Sequence, residues 1–308
     1  MSDRHVVVGA GPVGREVAAR LAAAGREVVV LTRSGRDTGL PGVAHEAVDA
    51  SEVDALTGRV EGAVALYNCA NPGDYTTWEA VWPPLAASMR QAAERTGAVL
   101  AITGNLYPYG PVDRPMVEGM PDAATDHKAV LRTTMWADAL AAHRAGRLSA
   151  FEVRGSDYVG RGVGANGHVP RVLPAALRGR DVRVLGDPHQ PHSWTDVQDV
   201  ARTLVAVVDR PQAWGRVWHV PTHEPRTQSE AVNDVLAAVG RPPVRVRAMP
   251  RALTWGAARV LPMMRELEEL RYQFTRPYVL DSSAAQAELG LEPTPWDEIC
   301  RRTADVTP

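Results

Sequence analysis

The strongest constraint on this chain lies in its first thirty-odd residues. An apolar run, His5-Val6-Val7-Val8, meets Gly9-Ala10-Gly11-Pro12-Val13-Gly14, followed by an alanine-rich stretch to Gly25 and a second apolar run, Glu27-Val28-Val29-Val30-Leu31. By periodicity and breakers this reads as strand, Gly-x-Gly-x-x-Gly turn, helix, strand. Gly9 permits the tight turn and Gly11 lets backbone N–H groups approach a pyrophosphate. Gly14 lets the helix pack close to the sheet, and Pro12 and Val13 open that helix, whose N-terminus favours negative charge. Glycines that served turns alone would leave the spacing of three unexplained. The unit predicts a dinucleotide site.

The residues after Leu31 select the dinucleotide. NAD sites usually end the second strand with an acid that accepts from the ribose 2′-hydroxyl, whereas an arginine there accommodates a 2′-phosphate. This chain has Thr32-Arg33-Ser34-Gly35-Arg36 and no acid before Asp37. Arg33 is the expected phosphate ligand, flanked by Thr32 and Ser34, because a guanidinium fork matches phosphate oxygens. Arg36 reads equally well as a solvated loop charge. The expected cofactor is NADP(H).

Composition bounds the rest. At 308 residues the chain suffices for one large domain or two smaller ones, with an ordinary 45% of hydrophobic residues and a net charge of −2. No basic stripe points to nucleic acid. No apolar stretch reaches the roughly 18 residues of a membrane span. Met1-Ser2-Asp3-Arg4 leads straight into a strand, so a cytoplasmic enzyme is expected, acting on a small molecule as a monomer or homodimer. Cys69 and Cys300 are too few for a disulfide framework, and the histidines lack metal-ligand spacing, so no metal is assigned. Of 34 basic residues only Lys128 is lysine. Where arginine serves every other positive charge, a solitary ammonium points to a compact amine contact.

Farther along, Val43 to Val48 reads as a third strand ending in Asp49, placed to meet the adenine end, with a short helix over Ser51 to Leu56. Ala63 to Ala70 reads as a buried strand whose end, Cys69-Ala70, joins the cofactor set. Asn71-Pro72-Gly73 breaks it at the carboxyl end, where open α/β sheets bind ligands. Trp78 and Trp82 share a helix face, filling core or roofing a pocket. That helix meets Pro83-Pro84 with a kink or break. The strand Ala98 to Thr103 runs into Gly104-Asn105-Leu106-Tyr107-Pro108-Tyr109-Gly110, a natural place for chemistry. A helix from Asp122 to about Ala145 carries Lys128, and a strand at Ala150 to Arg154 feeds Gly155-Ser156-Asp157-Tyr158. The alternation predicts a doubly wound parallel α/β sheet.

The early glycine triplet, Thr103 with Leu106-Tyr107, the helix bearing Lys128, the Arg154-to-Gly162 loop and the run His192-Ser193-Trp194-Thr195-Asp196-Val197 come in one order and spacing. In these the chain resembles the extended short-chain dehydrogenase/reductase superfamily, in its epimerase/dehydratase-like branch, over nearly its whole length. The resemblance implies a Rossmann-type NADP-binding domain over 1–155 and about 195–222, and a smaller C-terminal α/β substrate-binding domain over 156–194 and 223–308. It implies catalysis by Thr103 and Lys128. The tyrosine that the family places four residues before the lysine is Ala124 here. Tyr107 is the expected substitute proton donor, with Tyr109, His127 and Asp157 as alternatives.

Asn105, Tyr109, Asp157, Tyr158 and Trp194 are the expected substrate contacts. Met263-Met264 and Phe274 line an apolar cavity or serve packing. The reading is an NADP-dependent reductase that transfers hydride to a carbonyl or imine carbon. A nonredox isomerase or lyase, and a noncatalytic NADP sensor, stand as the other classes.

Overall fold

The computed structural model describes residues 3–305 apart from 252–255, 257, 258 and 260. In chain order its strands are β1 (Arg4–Val8), β2 (Glu27–Thr32), β3 (Val43–Ala47), β4 (Ala65–Asn68), β5 (Val99–Asn105), β6 (Ala150–Gly155), β7 (Asp157–Val159), β8 (Val182–Val184), β9 (Trp194–Asp196), β10 (Val217–His219) and β11 (Val246–Ala248). Seven of them form one sheet in the order β10-β6-β5-β4-β1-β2-β3, and every pairing is parallel. Strands buried on both faces need apolar side chains at successive positions, which is why β1, β2 and β4 read as unbroken apolar runs.

The helices are α1 (Pro12–Ala23), α2 (Val53–Val60), α3 (Trp78–Thr96), α4 (His127–Arg144), α5 (His168–Ala176), α6 (Val197–Val208), α7 (Gln228–Ala238), α8 (Pro262–Glu269), α9 (Ser283–Leu289) and α10 (Trp296–Ala304). α1 and α6 cover one face of the sheet, meeting Val7, Val30, Tyr67 and Phe151. α2, α3 and α4 cover the other, meeting Val6, Val8, Leu66 and Ile102. Thus α6 and β10, from the later half of the chain, return to the main sheet. A smaller layer pairs β8 with β11 under α5, α7 and α10, around Leu173, Val232 and Leu236. β7 and β9 pair beside it. No helix among the described residues is long and apolar enough to cross a membrane.

Three local outcomes differ from expectation. The short helix after β3 starts later, at Val53. α3 runs unbroken through Pro83 and Pro84, since the carbonyls that lose their partners belong to Glu79 and Ala80, both exposed to water. α4 begins at His127, not Asp122, because the Asp126 carboxylate caps the helix by accepting from the Ala129 N–H at 3.0 Å. Residues 122–126 therefore lie outside the helix, and Ala124 donates its N–H to the Pro108 carbonyl at 3.0 Å.

A buried ion triad pins this segment to β6. Arg154, 1% exposed, grips both oxygens of Asp122 at 2.6 and 2.9 Å, donates to Glu152 at 2.9 Å and lies over the Tyr109 ring. Removing the cation strands two carboxylates, one fully buried. Arg154→Met is expected to destabilise the fold by about 3–5 kcal/mol, read as a lower urea midpoint. An unchanged midpoint would show that the triad contributes nothing net.

Candidate functional site

A cleft of about 880 Å³ runs along the carboxyl ends of β1, β2, β4, β5 and β6. Its floor is the glycine turn. Gly9 has φ +104°, and a Cβ there would lie 2.7 Å from the Cys69 carbonyl oxygen. A Cβ at Gly14 would lie 2.0 Å from the Gly9 carbonyl oxygen, so α1 packs against β1 only because that position is bare. Gly11, in contrast, has nothing within 4 Å of its missing side chain and is the N-cap of α1, with no side chain capping the helix. First-turn N–H groups therefore face open space that Gly9, Gly11, Pro12 and Val13 line.

At one end, Thr32, Arg33 and Asp49 line the cleft. Arg33 is exposed, and so is Asp49, whose carboxylate accepts from Ser51 N–H and Oγ at 3.0 and 2.6 Å. Those bonds hold its pKa below the usual value, with Arg33 adding to the effect. Ser34 is exposed and lies outside the lining.

In the middle, Cys69, Ala70, Thr103 and Asn105 line the cleft. The Thr103 hydroxyl donates to Cys69 Sγ at 3.7 Å, and burial pushes the thiol pKa up to about 12, so Cys69 is an inert thiol. Tyr107 lies beyond them: its hydroxyl meets that of Tyr75 at 2.9 Å, and its ring stacks on Trp78, which also lines the cleft. Burial raises the Tyr107 pKa well above its ordinary value, so the phenol keeps its proton. Trp82 is core, fully buried between sheet and helix.

Lys128 does not line the cleft. It is fully buried, and its ammonium is clasped by Glu266 and by Glu269, the latter at 2.7 Å, both from α8. His127, exposed at the start of α4, pairs with Glu269 at 3.0 Å. Ligand atoms of His127, Glu266 and Glu269 approach within 4.8 Å of one another, a cluster invisible in the sequence because 139 residues separate its halves. Its positive charge is the Lys128 ammonium.

Asp157 and Tyr158 line the cleft. Burial alone would raise the Asp157 pKa, but His168 and His192 outweigh it and hold the carboxyl below its usual range. His192 Nε2 meets Asp157 Oδ2 at 2.7 Å. Tyr109 and Trp194 lie elsewhere. Tyr109 is buried with its hydroxyl against His219 Nε2 at 2.8 Å, and Trp194 donates to the Arg226 carbonyl at 2.9 Å beneath His192. Both were expected at the substrate, and both are drawn instead into core contacts that satisfy their polar tips. Met264 and Phe274 line a small adjoining cavity of about 20 Å³.

Cleft residues that the sequence did not single out include Arg132, Ser156, Gln273 and Tyr278. Arg132 follows Lys128 by one helical turn, a spacing that places it on the same face of α4. Gln273 and Tyr278 arrive from the C-terminal segment with no local signal. Ser156 Oγ, Gln273 Nε2 and Tyr278 Oη are buried polar atoms without a partner among the described residues.

None of the curated proteins compared with the chain matches it. Solved structures of the same fold cover it nearly end to end at low identity. UDP-glucose 4-epimerase from Thermotoga maritima, with UDP-glucose, superposes at a TM-score of 0.81 and 15% identity, covering 98% of each chain. dTDP-glucose 4,6-dehydratase from Bacillus anthracis, in complex with NAD, gives 0.79 and 14%, covering 99% of this chain and 96% of that one. Bordetella bronchiseptica WbmH in complex with NAD+ gives 0.76 and 18%, over 99% and 98%. The model of the NAD dependent epimerase/dehydratase family matches residues 5–220, the span that builds the main sheet and the floor of the cleft, and the chain belongs to that family.

Proposed function

We propose that the chain is an NADP-dependent reductase that delivers hydride to a carbonyl or imine carbon of a small substrate. The observation that carries the cofactor is Arg33 at the end of β2, lining the same cleft as the open Gly11 turn. Solved neighbours hold NAD. Here an arginine stands where an NAD site would set its acid, and its fork suits a 2′-phosphate. The α1 N-terminus takes the pyrophosphate. The bound nicotinamide supplies the hydride.

The chain's own residues supply the proton and the fit. Tyr107, kept protonated by burial and hydrogen-bonded to Tyr75, serves as donor rather than base. Trp78 and Tyr75 hold its ring against the cleft wall. Thr103 and Asn105 border the reacting end. Lys128 acts here by tying α8 to α4 beside the cleft, and an amine contact to the ribose requires Glu266 or Glu269 to release it. The epimerase and dehydratase neighbours favour one second reading, in which the dinucleotide ends each cycle in its starting redox state.

Calorimetry is expected to show NADPH binding more tightly than NADH, by about 1.5–3 kcal/mol for each charge-assisted contact, with the preference lost in Arg33→Ala. Equal affinities in the parent protein would remove the NADP assignment.

With a turned-over substrate, deuteride from labelled NADPH is expected in the product, and Tyr107→Phe is expected to lower kcat by roughly 10²–10⁴-fold. Product formed with the cofactor unchanged and no label incorporated would favour the nonredox reading.

Lys128→Met is expected to lower stability by about 3–5 kcal/mol, because Glu266 and Glu269 lose their cation, and to weaken cofactor binding as α8 comes loose. Lys128→Arg is not expected to restore cofactor binding, since a planar fork does not fit a site closed around an ammonium. A Lys128→Arg protein indistinguishable from the parent in both measurements would show that only the charge matters.

A further inference from the structure

Two arginines line the cleft, and the protein treats them oppositely. Arg33 is exposed, whereas Arg132 is 5% exposed. A buried guanidinium ordinarily has its charge compensated, as Arg154 has through Asp122 and Glu152. Arg132 forms no ion pair among the described residues. Its hydrogen bond to protein runs from Nη2 to the Thr103 carbonyl at 2.7 Å, and the Trp82 ring covers one face of the fork at 4.7 Å. Glu152 acts on it from a distance but is already engaged by Arg154 at 2.9 Å. A guanidinium carries five N–H donors. Nε and Nη1 of Arg132 have no acceptor among the described residues, and the residue lines the cleft. Burial lowers the Arg132 pKa, in keeping with a cation that lacks its counter-charge.

The dinucleotide does not supply that counter-charge. Its pyrophosphate belongs at Gly11, after β1, and its 2′-phosphate at Arg33, after β2. Arg132 is anchored to Thr103 on β5, two strands from β1 across β4. At about 4.8 Å per strand this is roughly 10 Å from the nearer phosphate site. That part of the cleft is lined by Ser156, Gln273 and Tyr278, whose Oγ, Nε2 and Oη are buried polar atoms without a partner among the described residues. Asp157, which lines the cleft at the start of β7, is engaged by His192 at 2.7 Å. A cleft of about 880 Å³ that also takes a dinucleotide leaves room for a small acid rather than a second nucleotide.

We propose that the substrate is a small carboxylic acid and that Arg132 holds its carboxylate through the free edge of the guanidinium, with Gln273, Tyr278 and Ser156 completing the polar pocket. The planar fork matches a carboxylate in two parallel bonds. Arg132 is then the specificity determinant of the reacting end. The assignment rests on reading the cleft as a nicotinamide dinucleotide site, but not on the choice between NADPH and NADH.

The test is calorimetric titration of oxamate, and of its neutral counterpart oxamide, into the full-length protein saturated with whichever dinucleotide binds. Oxamate is expected to bind and oxamide not. Arg132→Met is expected to weaken oxamate roughly tenfold or more, about 1.4 kcal/mol, while the dinucleotide affinity stays that of the parent. Arg132→Lys, which keeps charge and bulk, is expected to fold in any case and still to lose the two-bond component. Absence of oxamate binding, equal binding of oxamide, inorganic phosphate bound in place of oxamate, or oxamate affinity unchanged in both variants would each overturn the proposal. Failure of the cofactor reading shows separately, as absence of dinucleotide binding in the first titration.

Discussion

Everything at the cleft depends on how closely α1 approaches β1. The Gly14 α-carbon sits against the Gly9 carbonyl so tightly that a single methyl group would land 2.0 Å from the oxygen. That contact holds α1 against β1, while its N-terminus has no side-chain cap and Gly11 has empty space in front of it. A side chain at position 14 would push the helix outward and turn its first N–H groups away from the cleft. Anion affinity at this turn thus follows from packing on the opposite side of the backbone.

The buried cations show three solutions to one electrostatic problem. Arg154 is neutralised by Asp122 and Glu152 from its own neighbourhood. Lys128 is neutralised by Glu266 and Glu269, carried in on α8 from the far end of the sequence. Arg132 has only a backbone carbonyl and an indole face among the described residues. The desolvation cost of a charge is similar in each case, several kcal/mol before compensation, so the differences lie in where the compensation comes from. In the first it is structural, in the second it ties two distant segments together, and in the third it is left to whatever enters the cleft.

The parallel sheet and its glycine turn were legible because their signals are local. A βαβ unit announces itself through apolar runs, breakers and three glycines within six positions, and Arg33 follows directly from the end of β2. The start of α4 was also written locally, in Asp126 and its reach to Ala129, but Asp122 ahead of Ala123-Ala124 offered a second N-cap residue four positions earlier. What could not be read were the partners supplied by distant segments. Nothing near Tyr109 announces His219, nothing near Lys128 announces Glu266 and Glu269, and Gln273 and Tyr278 reach the cleft only through the tertiary fold. Arg132 was within reach, since it lies one turn beyond Lys128 on the same helix, but nothing in the sequence marks it among so many arginines.

The solitary lysine also makes the chain its own reporter. With its ε-amine fully enclosed between α4 and α8, an acylating reagent meets no exposed lysine on the folded protein. Acylation of Lys128 then requires α8 to lift from α4, so its rate measures how often that contact opens. A cofactor or substrate that seals the cleft slows this clock, and one that draws α8 away quickens it. A single mass-spectrometric peak therefore follows a motion that would otherwise need a label.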